Sequence, residues 1–155
     1  MVAHIRRARP EEGDLLTDLT IRSKGYWGYE DSFLESAREE LEFQAGKFLP
    51  DFHVYVLELD GELVGFCSLI ALDGGAMELH HLFIEPRHIG KGHGKKLWDH
   101  AVQLARDLRF RRLILTADPN AEPFYASRGA VRIGEKVSPV ASGRMLPVME
   151  YVLTE

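Results

Sequence analysis

From Arg87 to Lys96 the chain reads R-H-I-G-K-G-H-G-K-K, with four formal positive charges, two histidines, three glycines and no carboxylate. Residues of these types at this spacing suit the capture of an anion. A predicted strand at residues 77–84 enters the segment. A predicted helix at about residues 93–109 leaves it, with Leu97, Ala101, Leu104, Ala105 and Leu108 on one face. Lysine is a poor residue for a helix's first turn, because the unpaired N–H groups there already carry partial positive charge and favour acidic neighbours. Lys95 and Lys96 make sense if something negative docks on that end. Gly90, Gly92 and Gly94 remove side chains that would hold a phosphate away from the backbone amides, and they permit the backbone angles of an amide cradle.

The remaining composition limits what such a site belongs to. A chain of 155 residues that is 45% hydrophobic is long enough for one domain with a sizeable core and too short for two, so residues 1–155 are read as a single domain. The formal charge is −5 and the sequence pI about 5.8, which makes the basic loop a local exception on an acidic protein. A nucleic-acid binder spreads positive charge over a face, and this chain does not; a small phosphorylated ligand fits better. Cys67 is the only cysteine, which excludes an internal disulfide, and its apolar run L-V-G-F-C-S-L-I marks a core position. No secretory signal and no apolar stretch of bilayer length is found, so a cytoplasmic protein with no membrane partner is expected. Glu78, His80, His81, His88 and His93 show no H-E-x-x-H or comparable ligand spacing, and no metal is expected. A dinucleotide fold also wants a glycine turn between strand and helix, and Asp118 would supply its acidic residue. The glycine pattern fails it, because Lys95 or Leu97 stands where close packing requires Gly or Ala.

The elements that must position the loop follow one another without linker, repeat or low-complexity tract. Residues 2–9 read as a strand, residues 11–24 as a helix with Leu15, Leu16 and Leu19 inward, and residues 32–45 as a second helix. Residues 52–59 and 63–72 are strands around Asp60-Gly61, a strong hairpin signal. Asp73-Gly74-Gly75 turns the chain into 77–84, completing an antiparallel meander. After the glycine loop and its helix, the strand at 111–117 follows with almost no connector, which predicts a right-handed parallel crossover. Asp118 or Asn120 is expected to cap a short helix ending near Arg128, with Gly129 at C′. Strands at 131–137 and 148–153 close the chain. The expected fold is α+β in α/β/α layers: a mixed, mostly antiparallel sheet of six to seven strands with one parallel pair in its middle.

These residues resemble the GNAT superfamily of N-acetyltransferases over essentially the whole chain. The segment E-L-H-H-L-F-I-E-P-R-H-I-G-K-G-H-G-K-K-L is similar to that family's acyl-CoA pyrophosphate motif, (Q/R)-x-x-G-x-(G/A). Arg87-x-x-Gly90-x-Gly92 satisfies its letter, whereas the common register sets the glycines at Gly92 and Gly94 and leaves Ile89 where Gln or Arg is usual. N-A-E-P-F-Y-A-S-R-G-A, from Asn120 to Ala130, is similar to the family's N-x-x-A-x-x-x-Y-x-x-x-G-F segment, with Ala130 in place of the aromatic. The opening I-R-R-A-R-P-E-E before a leucine-bearing helix is a weaker likeness.

The resemblance implies attack of an amine on the thioester carbonyl of acetyl-CoA, with no covalent enzyme intermediate, between parallel strands that splay apart. An alkylammonium acceptor with a pKa near ~10 must lose a proton, the oxyanion needs a fixed donor, and the leaving thiolate gains from a proton. The family pattern puts the coenzyme on Leu82, Phe83, Ile84, His88, Ile89, Gly90, Lys91, Gly92, His93, Gly94, Lys95, Asn120 and Tyr125. It makes Tyr125 the proton donor to the thiolate and Glu78 a base, with His80 two residues on and so on the same face of a regular strand. His81, His88 and His93 otherwise read as loop or face residues. Trp27, Tyr29, Glu30 and Asp31 fall where family members build an acceptor pocket; aromatic faces near carboxylates suit a cationic amine, and Arg144 on the last loop suits a carboxylate-bearing one. The acceptor is then a small-molecule or peptide amine. A non-catalytic acyl-CoA sensor or partner-docking domain is the rival reading, and an exposed sheet edge or the final strands leave a homodimer open.

Overall fold

Runs of branched and aromatic residues alternating with polar ones commit this chain to strands, and glycine-bearing turns decide where each strand reverses. The computed structural model describes residues 3–26, 52–137 and 145–153. Within them lie β1 (Ala3–Arg7), α1 (Gly13–Gly25), β2 (Phe52–Leu59), β3 (Glu62–Ala71), β4 (Ala76–Ile84), α2 (His93–Asp107), β5 (Arg112–Thr116), α3 (Glu122–Ser127), β6 (Val131–Val137) and β7 (Met145–Val152). The sheet order is β1-β2-β3-β4-β5-β7-β6, and every neighbouring pair is antiparallel except β4 and β5. The expected mixed sheet with a central parallel pair is what the chain forms. Asp60 and Gly61 both take positive φ, 49° and 86°, as the two-residue hairpin between β2 and β3 requires.

Each face of the sheet buries its own apolar set. On one face Cys67, Leu69, Met77, Leu79, Leu113, Leu115 and Met149 pack with Leu97, Trp98, Ala101 and Ala105 of α2. On the other, Val54, Val56 and Phe66 pack with Leu16 and Leu19 of α1. Cys67 is a core residue as expected; burial pushes its thiol up to about 12, which keeps it protonated and inert.

Several local expectations are corrected. Leu15 is 58% exposed. The buried stripe of α1 runs through Gly13, Leu16, Thr17, Leu19, Thr20 and Ser23, and at roughly 100° per residue Leu15 falls well off its middle. Leu108 is exposed because α2 ends at Asp107 and Arg109 then turns with φ of 70°. Neither Asp118 nor Asn120 caps α3: Ala121 is its N-cap, without a side-chain bond. Gly129 does sit just past its end, with φ of 101°. The helix expected at residues 32–45 lies outside the described residues.

The start of α1 is tied to the sheet edge through one carboxylate. Arg6 donates to both oxygens of Glu12, at 3.0 and 2.8 Å, and to Glu58 at 3.0 Å, while the Arg9 amide donates to Glu12 at 2.8 Å. The Arg6 hydrogen bonds hold the Glu12 carboxyl below its ordinary value of 4.5, against a burial that would raise it. A depressed folded-state pKa means that this contact stabilises the fold above the unfolded value and ceases to do so as pH falls through the folded one. Glu12→Gln is expected to cost about 1–3 kcal/mol at pH 7, with the gap to wild type closing as the pH drops below 4.5. Urea unfolding at pH 7 and in acid measures both, and a gap independent of pH would overturn the assignment.

Candidate active site

The site begins where β4 and β5 part. Their parallel ladder holds four residue pairs, from Ala76 with Arg112 to Leu79 with Leu115, and then stops. β5 ends at Thr116, whereas β4 runs on to Ile84, still paired with β3 on its other side. Among the described residues no strand pairs with the β5-facing edge of β4 beyond Leu79. That edge, at His80 to Ile84, offers backbone donors and acceptors to an extended amide-bearing chain, which would bind there as an added strand.

A bulge marks the same point. Ser68 pairs with His81 and Leu69 with Leu79, so His80 has no residue opposite it on β3. An extra residue reverses the parity of the strand. Met77 and Leu79 face α2 before the bulge, and Leu82 and Ile84 do after it. His80 and His81 lie ring against ring at 4.4 Å. Nδ1 of His80 stands 3.3 Å from Oε2 of Glu78, so these two expected site residues are brought together. The hydrogen bond to His80 is the main cause that lowers the Glu78 carboxyl below its ordinary value. His81, expected on a loop or face, is instead buried, with Nδ1 2.6 Å from the Ser68 hydroxyl.

Beyond β4 the loop passes through a 3-10 turn at Pro86–His88 and into α2. Gly90 and Gly92 hold φ of 84° and 87°, where a side chain is strained, and nothing lies within 4 Å of a Cβ built on either. Gly94 serves a different purpose: a Cβ there would stand 3.3 Å from the Phe124 ring, so its absence lets α2 and α3 meet. The first bond of the helical ladder runs from the Lys96 amide to the Gly92 carbonyl. The amides of His93, Gly94 and Lys95 precede it, and so face outward from the helix start. With Lys91, Lys95 and Lys96 alongside, this donor set and its open glycine backbone fit a diphosphate. The Arg87 guanidinium pairs with Glu62 at the surface. Ile89 packs against the core, consistent with its apolar type where the family has Gln or Arg. His88 and His93 stand at 5.8 Å between ring centroids, and burial is the main cause that pushes both below the usual histidine value, so they stay neutral at pH 7.

Across the fork lie the residues after β5. The Asp118 carboxylate accepts from the Asn120 amide at 2.8 Å and from its side-chain nitrogen at 3.0 Å. Tyr125, on α3, is buried against Trp98 and Phe124. Burial raises its phenol above the ordinary value, with Cys67 and Asp118 adding to the effect. Trp27, Tyr29, Glu30 and Arg144 lie outside the described residues. The sequence pattern gave no role to Ser68 or Lys24, placed His81 on a loop or face, and offered Asp118 as a helix cap rather than as the partner of Asn120. The shift of the apolar positions in M-E-L-H-H-L-F-I from odd to even numbers would have revealed the bulge.

A forked parallel pair capped by a basic glycine loop defines an acyltransferase of the coenzyme A-dependent class. A family model described as the acetyltransferase (GNAT) family matches residues 16–130, and the chain belongs to that family: it is an acetyl-CoA-dependent N-acetyltransferase. The peptidyl-lysine N-acetyltransferase YjaB of Salmonella typhimurium is 38% identical over 109 residues, covering 70% of each chain. A putative [ribosomal protein bS18]-alanine N-acetyltransferase of Bacillus subtilis is 28% identical over 122 residues, covering 78% of this chain and 74% of that one. In fold, the chain is similar to the PaiA N-acetyltransferase of Thermoplasma acidophilum in complex with coenzyme A, with TM-score 0.76 and 23% identity, over 98% of this chain and 99% of that one.

Gly92→Val should fold, because its added atoms meet open space, but should shift the loop from its positive φ. Calorimetry is expected to show about tenfold weaker acetyl-CoA binding, and unaltered affinity would remove the loop from the cofactor site.

Proposed function

We propose that this enzyme moves the acetyl group of acetyl-CoA to a primary amine of a small molecule or peptide, by direct attack of the amine within a ternary complex. The observation that carries this reading is the fork, an unpaired strand edge in the middle of the sheet whose strand leads on into an amide cradle at the head of α2. Peptide lysine is the first acceptor to test, because the YjaB relative is a peptidyl-lysine N-acetyltransferase.

Bound acetyl-CoA would supply an activated acyl thioester. The backbone of Leu82, Phe83 and Ile84 aligns the amide arm, and the loop from His88 through Ile89, Gly90, Lys91, Gly92, His93, Gly94 and Lys95 holds the diphosphate. Glu78 accepts a hydrogen bond from Nδ1–H of His80, which turns Nε2 into the basic nitrogen that takes the ammonium proton. Tyr125 keeps its proton at neutral pH because its phenol is raised. With a thiol pKa near ~8.5, the thiolate is less basic than the phenolate, so Tyr125 acts mainly by donating a hydrogen bond to it. Asn120 contacts the coenzyme arm. On the likeness in sequence, Trp27, Tyr29, Glu30, Glu78 and Arg144 are assigned to acceptor binding. The lone buried thiol suits a reducing cytoplasm. A homodimer would form through β6, which exposes Val131, Ile133 and Val137 at the sheet's outer edge.

Thiol release with a panel of lysine peptides, polyamines and amino acids tests this. Tyr125→Phe and His80→Gln are each expected to lower kcat by about 10–100-fold while leaving the dissociation constant for acetyl-CoA within twofold or so. Tight binding without thiol release by the wild type on any amine would overturn the catalytic assignment. Light scattering decides the dimer: Ile133→Lys should yield a monomer.

A further inference from the structure

His88 and His93 bracket the glycine loop, and each ring holds a nitrogen that the fold leaves without a hydrogen bond. Nε2 of His88 and Nδ1 of His93 are both buried and unpartnered among the described residues. The two rings meet edge to face, 5.8 Å between centroids. Their charged surroundings differ. His93 stands among Lys91, Lys96 and His88, and among the described residues no carboxylate offsets them. His88 has Arg87 and Lys91 beside it on its own loop, but two carboxylates face it from the strands. One is Glu85, just past the end of β4; the other is Glu62, at the start of β3, whose Oε2 lies 3.7 Å from the unpartnered Nε2. Glu62 meets Arg87 through its other oxygen, and Glu85 is paired with Arg22. At 3.7 Å the contact between His88 and Glu62 is an approach and not a hydrogen bond. Closing it is worth most to an imidazolium, whose N–H meets a carboxylate as an ion pair. Without a ligand, burial and the two neighbouring cations outweigh the carboxylates and keep the ring neutral. A diphosphate on the amides of His93, Gly94 and Lys95 adds two negative charges to this field and turns the balance the other way.

We propose that the coenzyme's diphosphate binds together with a proton, which a buffer acid gives up and the His88 ring accepts; both ring nitrogens then carry hydrogen, and Nε2–H closes onto Glu62. This inference rests on the coenzyme reading of the loop and adds to it a coupling between ligand and proton. His93 stays neutral, because its neighbours are cations and a charged His88 is one more. The sign of the coupling follows from linkage: the bound form holds more protons than the free one, so affinity rises as the pH falls.

The experiment is calorimetric titration with acetyl-dephospho-coenzyme A, which keeps the diphosphate but has neither the free thiol nor the phosphomonoester that would titrate alongside it. In buffers of differing ionisation enthalpy at pH 7, the wild type should take up a fraction of a proton per ligand bound, and its affinity should rise about threefold between pH 8 and pH 6.5. His88→Asn should abolish both effects, Glu62→Gln should diminish both, and His93→Asn should retain them. In the wild type, the nuclear magnetic resonance titration of the His88 ring should move to higher pH when the ligand is present, a measurement that needs no substitution. Uptake that survives His88→Asn or vanishes in His93→Asn would overturn the inference, as would a His88 titration unmoved by ligand. Effects undiminished in Glu62→Gln would overturn the role of that carboxylate. Binding by the wild type with no proton exchanged would sink the coupling and leave the coenzyme reading standing. Failure of the wild type to bind either this ligand or coenzyme A would instead overturn the coenzyme reading of the loop, and this inference with it.

Discussion

A strand edge inside a sheet is an unusual thing to leave unpaired, and the molecule is organised around one. Backbone N–H and C=O groups away from water are costly without partners, so a buried sheet normally satisfies every rung. β4 and β5 satisfy four and then separate. Two local causes act together. The bulge at His80 bends β4 and increases its twist, and β5 stops at Thr116, with Pro119 and the Asp118–Ala121 turn carrying the chain away. β1 and β6 lie at the sheet's two margins. The β4 edge beyond Leu79 lies instead in the middle of the sheet, with backbone groups placed to pair with another extended amide chain. A phosphorylated cofactor with a peptide-like arm matches that requirement in both halves, because the cradle at the head of α2 lies at the end of the same strand.

Opening a sheet weakens it, and the surrounding elements compensate. α1 grips the end of β4 through the paired guanidinium of Arg22 and carboxylate of Glu85, at 2.8 Å on both contacts, and grips the start of the sheet through Arg6 and Glu12. On the opposite face α2 packs along β3, β4 and β5, and the missing side chain at Gly94 lets α3 close against it. The fork is therefore held from both faces without a backbone bond across it. The positive loop needs no such brace. On a protein of net charge −5 its lysines stand against the overall field, so their attraction for a phosphorylated ligand is local and falls off within about a Debye length, ~8 Å at physiological salt.

The parts of this arrangement that depend on short-range chemistry were legible in the chain. Asp60-Gly61 announced a hairpin, the glycine loop announced an anion site at a helix start, and the near-absent connector before β5 announced a parallel crossover. Elements that depend on what they pack against were less so. Leu15 has the right residue type for a core position but the wrong angle on α1. Asp118 has the right type for a helix cap but bonds Asn120 instead, because the turn closes before α3 begins. His81 reads as a loop or face residue, and Ser68 is one position in an apolar strand run. Their 2.6 Å contact exists only because the bulge aligns them across the β3–β4 ladder.

Two adjacent histidines would ordinarily point to opposite faces of a strand. The bulge places both on one face, and their surroundings then divide them. His81 is enclosed, tied to Ser68 and packed among Phe66 and Phe83, which suits it to hold the strand's bend. His80 is 39% exposed at the side chain and leans on the Glu78 carboxylate, which suits it to exchange protons with an arriving amine. In a regular strand Glu78 and His80 would still share a face; it is His81 that the bulge brings round to join them. The irregularity that falls where the β4–β5 ladder stops therefore also turns His81 toward Ser68 while His80 stays beside Glu78.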